Sequence, residues 1–340
     1  MDTRPTLRIK SPADLLALVP SVLGFHPDES IVLVVTAGEA GQLHARLDLP
    51  RDEEEVVETV RVLRNAVSRA EARQVALIAY CVDEEPTRQV VDLLVLELEL
   101  CGVDVMCAIR ADGERWFSLD CVDGCCPLDG RRYDVSSHPF TAQAVLDGRV
   151  TYESREALAD SLVGTDLDAL EAVGESVDEA MRRLSAAARQ PLGLESPDAT
   201  RRHLVTEGYW VRERVRRYLR TREPLDDHDA GRLLVAITVI EVRDVAWAEM
   251  NRSNASTHVE LWRGLVCRTP PDLLAAPSAL LAFAAWQAGD GALAWCAVER
   301  CQEAAPDYGM AALVSQALAA AVHPSAWEPI SVGELPLFAS

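Results

Sequence analysis

Three cysteines fall within six positions of the stretch LDCVDGCCPLDG, residues 119–130: Cys121, then Cys125 and Cys126, followed by Pro127 and Gly130. Thiols at that spacing can ligate a metal, do redox chemistry, or sit unused in a turn. A structural zinc site wants four Cys or His ligands, usually as two close-spaced pairs. The chain has no second CxxC and no HxxxH, so a fourth ligand must come from elsewhere, with His138 and Cys107 the nearest candidates. Redox work needs a thiol of lowered pKa, whereas Asp120, Asp123 and Asp129 in the same loop are expected to raise it. The plainest reading is a corner whose backbone is set by Pro127 and Gly130. Its rival is a zinc site at Cys121, Cys125, Cys126 and His138.

A second polar group is GFHPDES, residues 24–30. His26, Asp28 and Ser30 invite a catalytic reading, but a triad is assembled in space, not by adjacency along the chain. Pro27 holds His26 extended just before a strand, so His26 is expected to be a positioned loop histidine. His26 and Asp28 stand as a further candidate site. The stretch VRERVRRYLRTR places Arg212, Arg216 and Arg220 at i, i+4 and i+8, on one helical face. That face is either a docking surface for an acidic partner or, the favoured reading, a solvated or internally salt-bridged one, with Glu241 and Asp244 as candidate partners. No Walker-type, Rossmann, HExxH or GxSxG pattern occurs.

The elements that must position these groups divide the chain unevenly. Ser11-Pro12-Ala13-Asp14 reads as a helix start with a capping box, and the helix should end near Pro20 or Gly24. Two strands separated by a Gly-rich turn follow in residues 30–50. Apolar positions Val56, Val57, Val60, Leu63 and Val67 have helical spacing. QVALIAYC is a strand covered on both faces, residues 85–102 a helix closed by Gly102, and residues 103–121 a hairpin turning at Asp112-Gly113. Cys81, Cys101 and Cys107 are expected in the core. This order predicts a layered α/β domain with a mixed sheet over residues 1–150. From 151 to 325 only helical patterns appear, near 154–163, 166–188, 203–222, 227–250, 256–268, 275–289, 291–305 and 308–321, an all-α array. The last pairs, around Gly289-Asp290-Gly291, look like a tetratricopeptide repeat, with Trp286 expected in its core. Residues 326–340 are expected to form a flexible tail.

Composition narrows the function classes. A formal net charge of −21, from 33 basic and 54 acidic residues, argues against direct nucleic-acid binding and against anionic membranes. Neither a spanning segment nor a signal peptide is evident, which predicts a cytoplasmic protein whose nine cysteines are free thiols or metal ligands.

Three stretches resemble a known family: SPADLLALVPSVLGFHPDESIVLV, GERWFSLDCVDGCCP and LLAFAAWQAGDGALAWCAVER. They look like the actinobacterial proteins of domain-of-unknown-function family 4192, over nearly the whole chain. The resemblance implies a lineage and no activity. The expected function is therefore a non-enzymatic interaction or regulatory protein with a protein partner. The alternative is a metal-dependent or thiol enzyme at the Cys121–Cys126 loop. The tail adds one partner hypothesis. Residues 334–338, with Leu335, Leu337 and Phe338, are similar to the pentapeptide that binds the bacterial DNA sliding clamp, although Glu334 stands where that motif favours Gln. The competing reading has Leu337 and Phe338 capping the last helix pair.

Overall fold

The structure, a computed structural model, describes residues 9–38, 44–121, 124–188 and 197–338. The chain forms two compact units, Met1–Leu158 with Ala319–His323, and Ala159–Leu318 with Pro324–Ser340.

In the first unit, α1 (Pro12–Leu23) opens as its residues demand. The Ser11 hydroxyl accepts from the Asp14 N–H at 3.3 Å while the Asp14 carboxylate accepts from the Ser11 N–H at 2.8 Å. This reciprocal box satisfies donors that a helix end leaves open. Pro20 lies inside the helix, which closes at Gly24. There follow β1 (Ser30–Gly38), β2 (His44–Asp48), α2 (Glu53–Arg69), β3 (Ala72–Tyr80), α3 (Glu85–Leu100), β4 (Asp104–Ala111), β5 (Arg115–Ser118), β6 (Arg131–Arg132), α4 (Pro139–Leu146) and α5 (Arg155–Asp160).

The strands form one sheet in the order β2-β1-β3-β4-β5-β6. It is mixed: β3 and β4 are parallel, joined through α3, and the other neighbours are antiparallel. A parallel pair needs such a crossover, whereas the β4–β5 hairpin needs only the Asp112–Glu114 turn. Register follows the pleat. Ile31, Leu33 and Val35 of β1 and Val75 and Leu77 of β3 share one buried cluster with Val60, Leu63 and Val67 of α2 and Val90, Leu94 and Leu98 of α3. The alternate residues Val32, Val34, Ala76 and Ile78 are buried too, so both faces of the central strands are covered. Burying each such Val, Leu or Ile side chain stabilises by about 1.5–3 kcal/mol. Cys81 joins this core, but Cys101 does not. It caps α3 in an exposed position, and Cys107 is half-buried in the outer half of β4, where Asp104 and Met106 are exposed.

The second unit is helical. After α5 come α6 (Leu167–Ala188), α7 (Pro197–Thr221), α8 (Asp227–Ala236), α9 (Ile240–Ala248), α10 (Ala255–Val266), α11 (Ala275–Ala288), α12 (Gly291–Ala304) and α13 (Gly309–Ala319). Helix α6 packs on α8, α7 on α9, α10 on α11, and α11 on α12. Between α11 and α12, Gly289 takes φ +82°, a left-handed conformation that Gly adopts without strain, and the Asp290 side chain caps α12. Trp286 is buried beside Phe283, with ring centroids 5.6 Å apart.

Two boundaries differ from expectation. The span 227–250 is two helices, because the β-branched run Ile237–Ile240 weakens helix and Val239 is extended at ψ 120°. The tail is also packed. Val332, Leu335 and Leu337 are buried, and Phe338 lies against the Tyr209 ring of α7 at 4.9 Å. Leu337 and Phe338 lie over Gly208, where a Cβ would meet them at 2.9 and 3.1 Å. The apolar end of the tail thus covers α7 rather than the α11–α12 pair.

Candidate functional site

The three cysteines of the Cys121–Cys126 loop come together. Their Sγ atoms all lie within 4.8 Å of one another, and the Cys121 and Cys125 sulfurs are 3.4 Å apart, a thiol–thiol contact and not a disulfide. Cys121 and Cys126 are half-buried and Cys125 is exposed. Hydrogen bonding within the group pulls the thiols apart electrically. The hydrogen bond between the Cys121 and Cys125 thiols, followed by that with the Cys126 backbone, lowers the Cys121 pKa to about 7. Cys125 is raised to about 11 by its bonds to Cys121 and Cys126. The loop's carboxylates were expected to raise the thiols together, but local donors decide for Cys121.

Both stems of the loop are fastened to the sheet. On the entering side, the Leu119 N–H donates to the Ala108 carbonyl at 2.8 Å. The Ala108 N–H donates to Asp120 Oδ2 at 3.0 Å, and the Ser118 hydroxyl to Asp120 Oδ1 at 2.6 Å. On the leaving side, Arg115 of β5 donates to the carbonyls of Asp129 and Gly130 at 2.9 and 3.2 Å. Gly130 has φ +68°, and a Cβ there would meet the Phe117 ring at 2.7 Å. Only glycine fits. The Arg110 guanidinium in turn lies over that ring, 4.0 Å from its centroid, and donates to the Cys81 and Val82 carbonyls. Between these anchors Leu128 is fully exposed.

His138 does not join the sulfurs. It caps α4, its Nδ1 accepting from the Phe140 N–H at 3.3 Å and its Nε2 lying 3.0 Å from Asp14 Oδ1. Both ring nitrogens are thereby committed to tying α4 to the start of α1. Cys107 is likewise outside the cluster. His26 and Asp28 are exposed. The backbone around them does the structural work: the His26 N–H donates to the Tyr152 carbonyl at 3.0 Å, the Asp28 carbonyl accepts from Ser30, and Phe25 is buried.

The arginine face of α7 is salt-bridged. Arg212 and Arg216 each reach one oxygen of Glu249 at 2.7 Å, and Arg220 reaches Glu213 at 3.0 Å. The partners are not Glu241 and Asp244; the latter pairs with Arg243. Packing of α7 on α9 brings Glu249, at the end of α9, under the stripe. In the tail, Leu335 and Leu337 are buried, so an extended Leu335–Phe338 segment has to leave α7 before it can enter any other pocket.

The residues did not foretell a groove of about 600 Å³ in the helical unit. Its apolar wall includes Leu184, Leu204, Val235, Val239 and Val242, from α6, α7, α8 and α9. Its rim carries two neutralised arginines: Arg183 pairs with Glu179 at 2.8 Å, and Arg232 with Glu207 at 2.8 Å while lying 4.1 Å from the Trp210 ring centroid. His203 and His228 complete the rim. Residues 189–196, which connect α6 to α7, lie outside the described residues. The usable signal was the apolar pair Leu184 and Leu204, near the end of α6 and the start of α7, which the structure leaves half-buried. Asp226, His228 and Asp229 form a second group of metal-ligand type. Its carboxylates are engaged, Asp226 capping α8 and Asp229 pairing with Arg214.

No helix among the described residues is long and apolar enough to cross a membrane. No curated protein and no solved structure matches the chain. One family profile does, over residues 12–325, spanning the sheet, the thiol loop and the helical array. By that match the chain belongs to the family described as Domain of unknown function (DUF4192).

Proposed function

We propose that this chain is a non-enzymatic interaction protein, and that its helical unit receives an amphipathic helix of a partner protein in the groove between α6, α7, α8 and α9. The observation that carries this reading is the apolar wall of that groove, where Leu184, Leu204 and Val239 remain only half-buried. Apolar walls with a charged rim suit helix-in-groove recognition. The occupant follows from charge. The two rim arginines are neutralised by Glu179 and Glu207, while the chain as a whole carries −21. A segment with an apolar face and basic flanks therefore meets a complementary field, and an acidic one is repelled.

The test is selection from a displayed library of amphipathic peptides against the full chain. Peptides with leucine-type residues at i, i+3 or i+4 and flanking Lys or Arg should be enriched, and Leu204→Glu should abolish their binding. No enrichment, or binding indifferent to Leu204→Glu, removes the reading. The competing reading, a metal-dependent or thiol enzyme at the Cys121–Cys126 loop, is supported by the gathered sulfurs.

A further inference from the structure

We infer that Cys121, Cys125 and Cys126 form a three-thiolate site for a thiophilic d¹⁰ cation, Zn²⁺ or Cu⁺, whose remaining coordination is supplied from solution. The inference is independent of the groove. It rests first on spacing. Three sulfurs bound to one zinc at about 2.3 Å stand roughly 3.8 Å apart in tetrahedral geometry and about 4.0 Å apart in a trigonal plane. The three Sγ atoms here already lie within 4.8 Å of one another, with one pair at 3.4 Å, so a cation between them needs shifts of an ångström or less.

The second support is that the loop is held by bonds that use no sulfur. Its entering strand is bonded at Leu119 and Asp120, and its leaving strand is gripped by Arg115 at Asp129 and Gly130. The thiols hang between fixed stems, and among the described residues they bond only to one another's groups, so none holds a contact outside the cluster that would compete with a ligand. That is how a preorganised site is built: the supporting contacts fix the geometry and leave the donors available.

The third support is chemical class. Thiolate-only donors select Cu⁺ and Zn²⁺ over Mg²⁺, Ca²⁺ and Mn²⁺, which prefer oxygen. Among the described residues no fourth His, Cys or carboxylate lies within the cluster, and both nitrogens of His138 are engaged elsewhere. Zn²⁺ would then keep one position open to water or to an added thiolate. Cu⁺ would be satisfied by the three sulfurs alone. Exposed Cys125 gives the cation a direct approach from solvent.

Full-length protein, reduced and stripped of metal, tests this with three probes: Zn²⁺ against a chromophoric chelator, Co²⁺ read by its sulfur-to-cobalt charge-transfer band, and Cu⁺ against a copper(I) chelator. One cation per chain is expected for Zn²⁺ or Cu⁺, and the stronger of the two identifies the geometry. Removing a ligand should exceed the roughly 10–100-fold losses seen for outer-shell changes, so Cys125→Ser should weaken binding by more than about 100-fold and cut the cobalt band by about a third. Cys101→Ser, exposed at the end of α3, should change neither. Alkylation mapped by mass spectrometry on the unmutated chain covers the case of a misfolded variant: the cation should protect Cys121, Cys125 and Cys126 and leave Cys101 reactive. Substoichiometric uptake of both cations overturns the inference. So does a cobalt band that survives Cys125→Ser, or protection that falls equally on Cys101.

Discussion

The chain holds its polar and reactive side chains in two different ways. In the helical unit they are consumed by structure. His258, with no exposed surface, accepts from the Trp262 indole N–H at 3.3 Å and lies 3.3 Å from the Glu249 carbonyl, while the Glu249 carboxylate receives Arg212 and Arg216. Each group answers another's hydrogen-bonding need, as buried polar atoms must. In the Cys121–Gly130 loop the arrangement is reversed. Backbone, Asp120 and Arg115 make the structural bonds, and among the described residues the three thiols bond only within their own group. A titratable residue in a buried network stabilises the fold; one on a pinned loop is available for a ligand.

That contrast has measurable consequences. The largest is expected from Trp262→Ala, which empties a fully buried site between α10 and its neighbours and leaves His258 Nδ1 without its donor. The cost should be about 3–5 kcal/mol in a denaturant titration. A loss under about 1 kcal/mol, the scale of surface changes, would mean the network is not structural.

The next is pH dependence. Burial lowers the His258 pKa from its usual value to about 4, outweighing the raising effect of the Glu249 carbonyl and carboxylate. Its folded-state pKa is thus below the unfolded value of about 6.5. The stability this residue contributes is complete above pH 6.5 and is lost as pH falls from 6.5 toward 4, because only the unfolded chain takes up the proton. The full loss is about 3 kcal/mol at roughly 1.4 kcal/mol per pH unit. His258→Gln should flatten the stability profile in that window relative to the native chain; an unchanged slope would assign the pH response to other groups.

The smallest effect is expected in the loop. Cys121→Ser in metal-free protein should shift stability by no more than about 0.5 kcal/mol, as for a surface change. A loss above about 2 kcal/mol would place the sulfurs in the same structural class as His258 and erase the distinction.

Local physics explains why the α/β order, the Ser11–Asp14 capping box and the Asp112-Gly113 turn could be read along the chain. Each depends on residues within a few positions of one another, where side-chain type sets the backbone. The break at Thr238–Val239 was legible in principle from its β-branched run, yet the apolar periodicity on either side masked it. Cys101 was misplaced because a free cysteine resembles a small hydrophobe in sequence, and its exposure depends on where α3 stops. The short strand β6 carries no signal, since its two residues are exposed arginines and their strand character comes only from pairing with β5.

The segments that become helix or strand, the turn at the loop's Pro127 and Gly130, and the negative charge that sets the chain's attraction to cations and basic partners all follow from residue identity and short-range spacing. Which groups meet across distance does not. The diversion of His138 to Asp14, the pairing of Arg212 and Arg216 with Glu249 and the groove walled by four helices each join elements separated by loops. Such contacts are selected by packing and solvation of the whole chain, because a side chain's free energy depends on what the fold brings to it.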